Sequence, residues 1–396
     1  VLEPVYYTYA ENGAAHPLGI DPKTPGNARI GIVGTVHHWG LAAWSVYAVV
    51  GLSLAIFCYN KGLPLTLRSA FYPILGEKIW RWPGHVIDTL AVFATLFGLT
   101  TSLGLGARQI AAGMSDVFGI EPTNTVVVLL IIGITIIALG SVVAGMDKGV
   151  KRLSEINMVM AVALFFFVFF VTGAGGAIAR YFDVMTQYVV QLVPLNNPFG
   201  RTDTSYFHGW TTFYWAWWIA WSPFVGMFIA RISKGRTVRE FILCVLIAPT
   251  LVCALWMSTF GGAAIDMIEA GTGQGITGVV VDAYKPEISL FRFLDQLPLY
   301  SIIAPISLVL IVIFFVTSSD SGSLVIDTIT AGGKMDAPVV QRVFWCTLEG
   351  LVAIALLLGG GLSALQGAAV STGIPFTVVV LAMCYTVYKA LQSEER

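Results

Sequence analysis

Nine runs of roughly 20 apolar residues constrain this chain more than any other feature. They fall at 38–59, 84–105, 125–145, 155–175, 210–231, 238–260, 300–326, 340–358 and 365–391. A helix needs about 20 such residues to cross a bilayer core, and barrel strands are shorter and alternate. The expected fold class is therefore an all-α membrane bundle. Only 11% of the residues are charged, where a soluble domain carries about 25%. A formal net charge of −1 gives no basic field for nucleic acid. The glycines of "SLGLGARQ" follow a helix, so no phosphate-binding loop is formed. An ordinary cytoplasmic enzyme, a disordered chain and a nucleic-acid binder are excluded.

Basic residues orient the spans. With the first span entering from outside, 15 of the 22 Lys and Arg residues, from Lys61 to Arg396 and including Lys148, lie on or beside inner segments. The outer segments hold six, and Arg108 lies just past the second span. The positive-inside rule then places the N-terminus outside and the C-terminus in the cytoplasm. Val1 opens the sequence without a signal peptide, and the number of spans is odd. The expectation is a fragment whose leading helices are missing. The five cysteines form no CxxC pattern and read as packing residues.

Aromatic residues form the densest chemical signal. "WTTFYWAWWIAWSPFVGMF", Trp210 to Phe228, holds five of the eleven tryptophans. Trp217, Trp221 and Phe224 recur at i, i+4, i+7, Phe213 extends that face by a turn, and Trp218 lies beside it. An interfacial belt uses one or two rings at one depth, whereas this stripe runs about 16 Å along the axis. A second set, Trp39, Trp44 and Tyr47, opens the first span. Aromatic faces without a nearby carboxylate suit a quaternary ammonium group, held by cation–π attraction. His37 and His38 are adjacent, so their side chains are expected to diverge and to cap or line the outer end of the span.

Hydroxyls supply the third signal. "FFVTSSDSGS", Phe314 to Ser323, lies within the seventh span. Its oxygens suit a small cation such as Na⁺, the alternative being back-bonding to the preceding turn. Asp320 is an ionisable group in the inner half of that span, and Asp88 lies at the inner start of the second. Neither Asp320 nor His37/His38 has a partner at catalytic spacing, so no enzyme is expected.

The pieces "HHWGLAAWSVYAVVG", "LFGLTTSLGLGARQI", "FYWAWWIAWSPFVGMFIARISKGR" and "VTSSDSGS" together resemble the betaine/choline/carnitine transporter (BCCT) family. The similarity runs from "EPVYY" at Glu3 through the last span and is nearest to the sodium-coupled glycine betaine type. It implies a LeuT-like bundle of two inverted five-helix repeats after two peripheral helices. The chain would begin at the end of the family's third helix and lack the first three. It is then one transporter domain, 1–396, comprising an incomplete first repeat (1–175), a periplasmic amphipathic segment (176–209) and a second repeat (210–396).

The resemblance also implies the site. Trp39, Trp44 and Tyr47 would form one aromatic wall, and Phe213, Trp217, Trp218 and Trp221 the other, with Trp218 the leading contact for a trimethylammonium group. Thr317, Ser318 and Phe314 would match part of a sodium site, and Thr95 and Phe224 a second one. Leu99 stands where sodium-coupled relatives can place a hydroxyl; Thr100, Thr101 and Ser102 are close by. The implied activity is import of glycine betaine or choline, coupled to Na⁺, by alternating access. Proton-coupled choline/carnitine-type transport and a cation channel are the alternatives. Na⁺ is the coupling ion and no cofactor is expected. The implied setting is the inner (plasma) membrane, multi-pass, as a homotrimer whose contacts use the amphipathic stretch 176–192.

Overall fold

The computed structural model describes residues 2–11, 13–24, 27, 29–144, 147–334 and 337–394. Arg396 lies outside them, as does the side chain of Lys148. The main helices are α1 (Leu2–Tyr9), α2 (Ile30–Trp39), α3 (Leu41–Ala55), α4 (Trp82–Phe118), α5 (Asn124–Ala144) and α6 (Asp147–Val171). After them come α7 (Ala174–Asn196), α8 (Thr212–Ile232), α9 (Val238–Glu269), α10 (Tyr300–Thr330) and α11 (Val339–Glu394). No strand occurs among the described residues, as expected where every backbone group must be satisfied within its own segment.

Seven helical segments are long and apolar enough to cross a membrane, against the nine runs expected from sequence. Two differences account for this. The runs 340–358 and 365–391 lie in one 56-residue helix, α11, whose halves meet at Gly361 (φ 60°, ψ −138°). A straight helix of that length would extend about 84 Å, far beyond one hydrocarbon core. The run 210–231 is the 21-residue α8, whose four tryptophans and Tyr214 lower its hydropathy without shortening it.

Local chemistry sets the helix ends. Thr237 and Glu240 close a capping box at the start of α9, with the Thr237 N–H donating to Glu240 Oε2 at 2.8 Å. Gly40 separates α2 from α3, and the Leu41 N–H freed by that break donates to the Tyr188 hydroxyl of α7 at 3.0 Å. A Cβ at residue 40 would stand 2.6 Å from the Val36 carbonyl oxygen, which accounts for the glycine. The first run is thus a broken helix whose bend is satisfied from a neighbour.

Small residues let the central helices meet closely. A Cβ on Gly98, Gly104 or Gly106 of α4 would fall 2.9, 2.6 and 2.1 Å from Trp221, Leu365 and Phe315. α8 packs against α3, α4 and α11 around a core that includes Tyr47, Phe213, Trp218 and Phe376. A second core joins α1 and α2 to α7 and α9. α7 is amphipathic, as the sequence predicts. It buries Arg180, Val184 and Tyr188, exposes Phe182, Val189 and Val193, and anchors Arg180 to Asp266 and the Ser258 carbonyl of α9.

Candidate functional site

Trp218 is the centre of the aromatic cluster. Helical spacing on α3 and the break at Gly40 direct Trp39, Trp44 and Tyr47 toward it. Their ring centroids lie 5.5, 5.8 and 4.8 Å from that of Trp218, in T-shaped or tilted contacts. Trp44 and Tyr47 also meet edge to face at 5.5 Å. Tyr47 and Trp218 are buried, and Trp39 and Trp44 are half-buried.

Tyr214 also meets Trp39 edge to face at 5.6 Å, and the other α8 aromatics of the two expected walls face elsewhere. Phe213 stacks on Trp217 at 5.3 Å. The indole N–H of Trp217 donates to Ser102 Oγ at 3.2 Å, and that of Trp221 to the Gly98 carbonyl at 2.9 Å. Trp221 also contacts Phe224 at 5.4 Å. Seven rings expected in two walls therefore divide into a four-ring cluster between α3 and α8 and a stripe against α4. A turn of 100° separates Trp217 from Trp218, and this alone sends neighbouring indoles to different helices.

A carboxylate stands behind the four-ring cluster, contrary to the expectation of none. Glu3 of α1 is only 8% exposed. Its Oε1 accepts the Trp39 indole N–H at 2.9 Å and the Tyr214 hydroxyl at 2.6 Å. Oε2 lies 3.4 Å from the Tyr7 hydroxyl and from His38 Nδ1. Burial, and then Glu3 itself, push the Tyr7 phenol well above its usual range, so it remains a donor. Sequence reading missed Glu3 because it precedes Trp39 by 36 residues and belongs to no span. Its place in "EPVYY", beside two tyrosines, was the one available signal.

The two histidines are buried structural groups, and their rings do not diverge: the centroids lie 5.4 Å apart. His38 stacks on Tyr214 at 4.6 Å, with Nε2 2.9 Å from Thr211 Oγ1. The Thr211 hydroxyl donates to the Tyr206 carbonyl at 3.1 Å. Nδ1 lies 3.2 Å from the Tyr7 hydroxyl, which donates to Glu3 Oε2. His37 Nδ1 lies 3.0 Å from the Tyr206 hydroxyl.

The predicted cation ligands occupy two places. Thr317 donates to the Ile313 and Phe314 carbonyls, both at 3.0 Å, and Ser318 is half-buried beside it. The Phe314 side chain is 51% exposed, and its carbonyl is the acceptor of the Thr317 hydroxyl. Thr95 is buried on α4 and donates to the Ala91 carbonyl at 2.8 Å. It lies on the α4 face that carries Gly98, against which Trp221 and, through it, Phe224 pack. Back-bonding hydroxyls keep lone pairs that can face a cation. Leu99 fills the space against Gly322 of α10, which leaves no room for a side chain there. Thr101 is committed to the Leu365 carbonyl at 2.7 Å and Ser102 to Trp217.

Comparison with known proteins gives this arrangement a family. Residues 1–396 match the family described as BCCT, betaine/carnitine/choline family transporter. A glycine betaine/proline/choline transporter of Vibrio parahaemolyticus is 55% identical over 373 residues, covering 94% of this chain and 66% of that protein. A glycine betaine transporter of the same organism is 51% identical over 403 residues, covering 100% and 75%. A glycine betaine transporter of Acinetobacter baylyi is 44% identical over 378 residues, covering 95% and 57%. The chain thus spans about two thirds of the length of these relatives. It belongs to the BCCT family, a family of transporters and not of enzymes.

Proposed function

We propose that this protein imports a quaternary ammonium solute, glycine betaine or choline, by Na⁺-coupled alternating access. The observation that carries the reading is the convergence of Trp39, Trp44 and Tyr47 on Trp218, with the Glu3 carboxylate one hydrogen bond behind Trp39. A methylated ammonium cannot donate an N–H bond, so ring faces and a remote negative charge are the groups that recognise it. Cation–π attraction contributes about 2 kcal/mol or more once water is excluded. The names of the relatives point to the same solutes.

The finer architecture belongs to the same proposal. α8 and the two halves of α11 on either side of Gly361 give nine crossings, arranged as a LeuT-like inverted-repeat bundle in the inner membrane. The N-terminus is outside, the C-terminus is cytoplasmic, and the exposed apolar face of α7 serves a homotrimer. In such a bundle cation and substrate both bind near the midplane. Na⁺ binding between Thr317, Ser318 and the Phe314 carbonyl, and beside Thr95 and Phe224, favours the outward-open state, and closure of the aromatic walls follows substrate entry.

Uptake of labelled betaine and choline into proteoliposomes of the native-length protein, with and without a Na⁺ gradient, tests the proposal. Saturable uptake that requires the gradient is expected. Uptake indifferent to Na⁺ sinks the coupling assignment, and linear, unsaturable flux favours a channel.

A further inference from the structure

Glu349 lies ten residues into α11 from Val339, about 15 Å along the axis and so near the middle of a ~30 Å hydrocarbon core. It is 1% exposed. Oε2 accepts the Ser323 hydroxyl of α10 at 3.0 Å. Ser319, one turn earlier on α10, borders the same carboxylate and Cys346, and its Oγ is buried without a hydrogen-bond partner. These residues lie apart from the aromatic cluster, and none of them is used in the transport scheme above.

Among the described residues, no cation stands beside the group to neutralise it. Its titratable neighbours are Cys346 on its own helix and Asp320 on α10, beside Cys346. Thr135 of α5 packs against Gly350, and α5 contains no ionisable residue. On α4, Asp88 is tied to Arg68 and Asp116 to Arg292, while Arg108 stands beside Gly361, twelve residues away. His85 is near the inner start of α4, and Arg231 is at the inner end of α8. Asp327 pairs with Arg342 at 3.1 Å toward the cytoplasmic end.

A carboxylate at this depth persists only when something neutralises it, and ionisable groups retained inside a bundle mark ion or proton pathways. A hard divalent cation takes six or more oxygen ligands, and one carboxylate with two serine hydroxyls falls short of that. A proton needs a single lone pair. We propose that Glu349, with Ser319 and Ser323, is a proton-binding site of the transporter, separate from the aromatic cluster. The conformation described here holds the proton. Sliding of α11 against α10 that admits water to the serine pair releases it, so pH biases the transport equilibrium through this one group.

This inference rests on the transporter reading, and the test separates the two. Infrared difference spectra of the native-length protein should show a protonated-carboxyl stretch that E349Q lacks. Betaine uptake under a fixed Na⁺ gradient, from about pH 5.5 to 8.5, should vary at least about threefold in the wild type and be flat in E349Q. Tryptophan fluorescence should show unchanged betaine affinity in E349Q. If E349Q does not fold, S323A keeps the carboxyl and removes its donor; the infrared band and the pH midpoint should both move. An identical infrared band in wild type and E349Q, superimposable pH profiles, or an unmoved midpoint in S323A overturns the proposal. Absence of wild-type uptake at every pH refutes the transporter reading instead, and the infrared band still decides whether Glu349 holds a proton.

Discussion

Replacing Glu3 by glutamine isolates what its charge contributes to cation binding. Glutamine keeps a carbonyl oxygen for the two short bonds, from Trp39 at 2.9 Å and Tyr214 at 2.6 Å. Its amide nitrogen then faces the Tyr7 hydroxyl, whose oxygen can accept. The geometry survives while the charge is lost. Laid end to end, the Glu3–Trp39 bond, the reach across the indole and the 5.5 Å Trp39–Trp218 centroid spacing put the carboxylate within about 10 Å of the Trp218 ring. At an effective dielectric constant of about 20, a unit charge at that distance attracts a cation by about 2 kcal/mol. Betaine or choline affinity should fall about tenfold to thirtyfold in E3Q.

Y214F is the matched control, because it removes one donor and leaves the charge; its effect on affinity should stay under about fivefold. Tryptophan fluorescence titration reads both, with the melting temperature recorded for each variant. E3A differs from both, since it leaves the Tyr214 hydroxyl and the Trp39 indole unpaired, at about 1–3 kcal/mol of stability for each group. If E3Q binds within about twofold of wild type while its melting temperature drops, Glu3 is a structural strut and the electrostatic argument fails.

Three other outcomes follow from the same geometry. W218A removes the ring that Trp39, Trp44 and Tyr47 all contact and should cost about 2 kcal/mol of cation–π energy, roughly thirtyfold in the dissociation constant; unchanged affinity would falsify the cage. T317A should raise the Na⁺ concentration for half-maximal uptake several-fold without altering Na⁺-free substrate binding, because the Thr317 hydroxyl otherwise only back-bonds; an identical Na⁺ curve counts against the site. Burial, then Glu3, holds the Tyr7 and Tyr206 phenols well above their usual range. Above about pH 10 the unfolded chain loses these protons while the native state keeps them, so stability falls as pH rises. Melting temperatures of Y7F and Y206F should show a shallower alkaline decline than wild type.

What was legible in the sequence was whatever is written in periodicity. The apolar runs, the amphipathic 176–192 stretch inside α7, and the close approaches of Gly98, Gly104 and Gly106 follow from spacing on a single helix. The groups that escaped depend on pairing between distant segments. Glu3 reaches Tyr214 across 211 positions, and Glu349 meets Ser323 across a helix pair. Glu349 stands openly within the eighth run, but a lone Glu in an apolar helix signals nothing until its burial and partner are known. The division of the α8 rings was hidden for a related reason. Helical phase fixes that Trp217 and Trp218 diverge, but not which neighbour each one meets.

The four-ring cluster is closed, and its closure constrains how a substrate enters. A cation held between two ring faces sits within about 6 Å of each centroid, so opposed faces stand up to roughly twice that far apart. Trp218 lies 4.8 to 5.8 Å from its three partners, which leaves no layer for a trimethylammonium group. On the proposed function, admission requires α3 and α8 to part at their outer ends. One to two turns deeper they cannot part freely. A Cβ on Gly226 would stand 2.6 Å from Val50 and 3.1 Å from the Gly51 nitrogen, so the backbones are in near contact there. That contact is placed to act as the fulcrum. G226A should wedge it open at a cost of about 1–3 kcal/mol, increase iodide quenching of the tryptophans and weaken betaine binding several-fold. A lower melting temperature with unchanged quenching and affinity would mean that the contact only packs, and that the walls separate by some other motion.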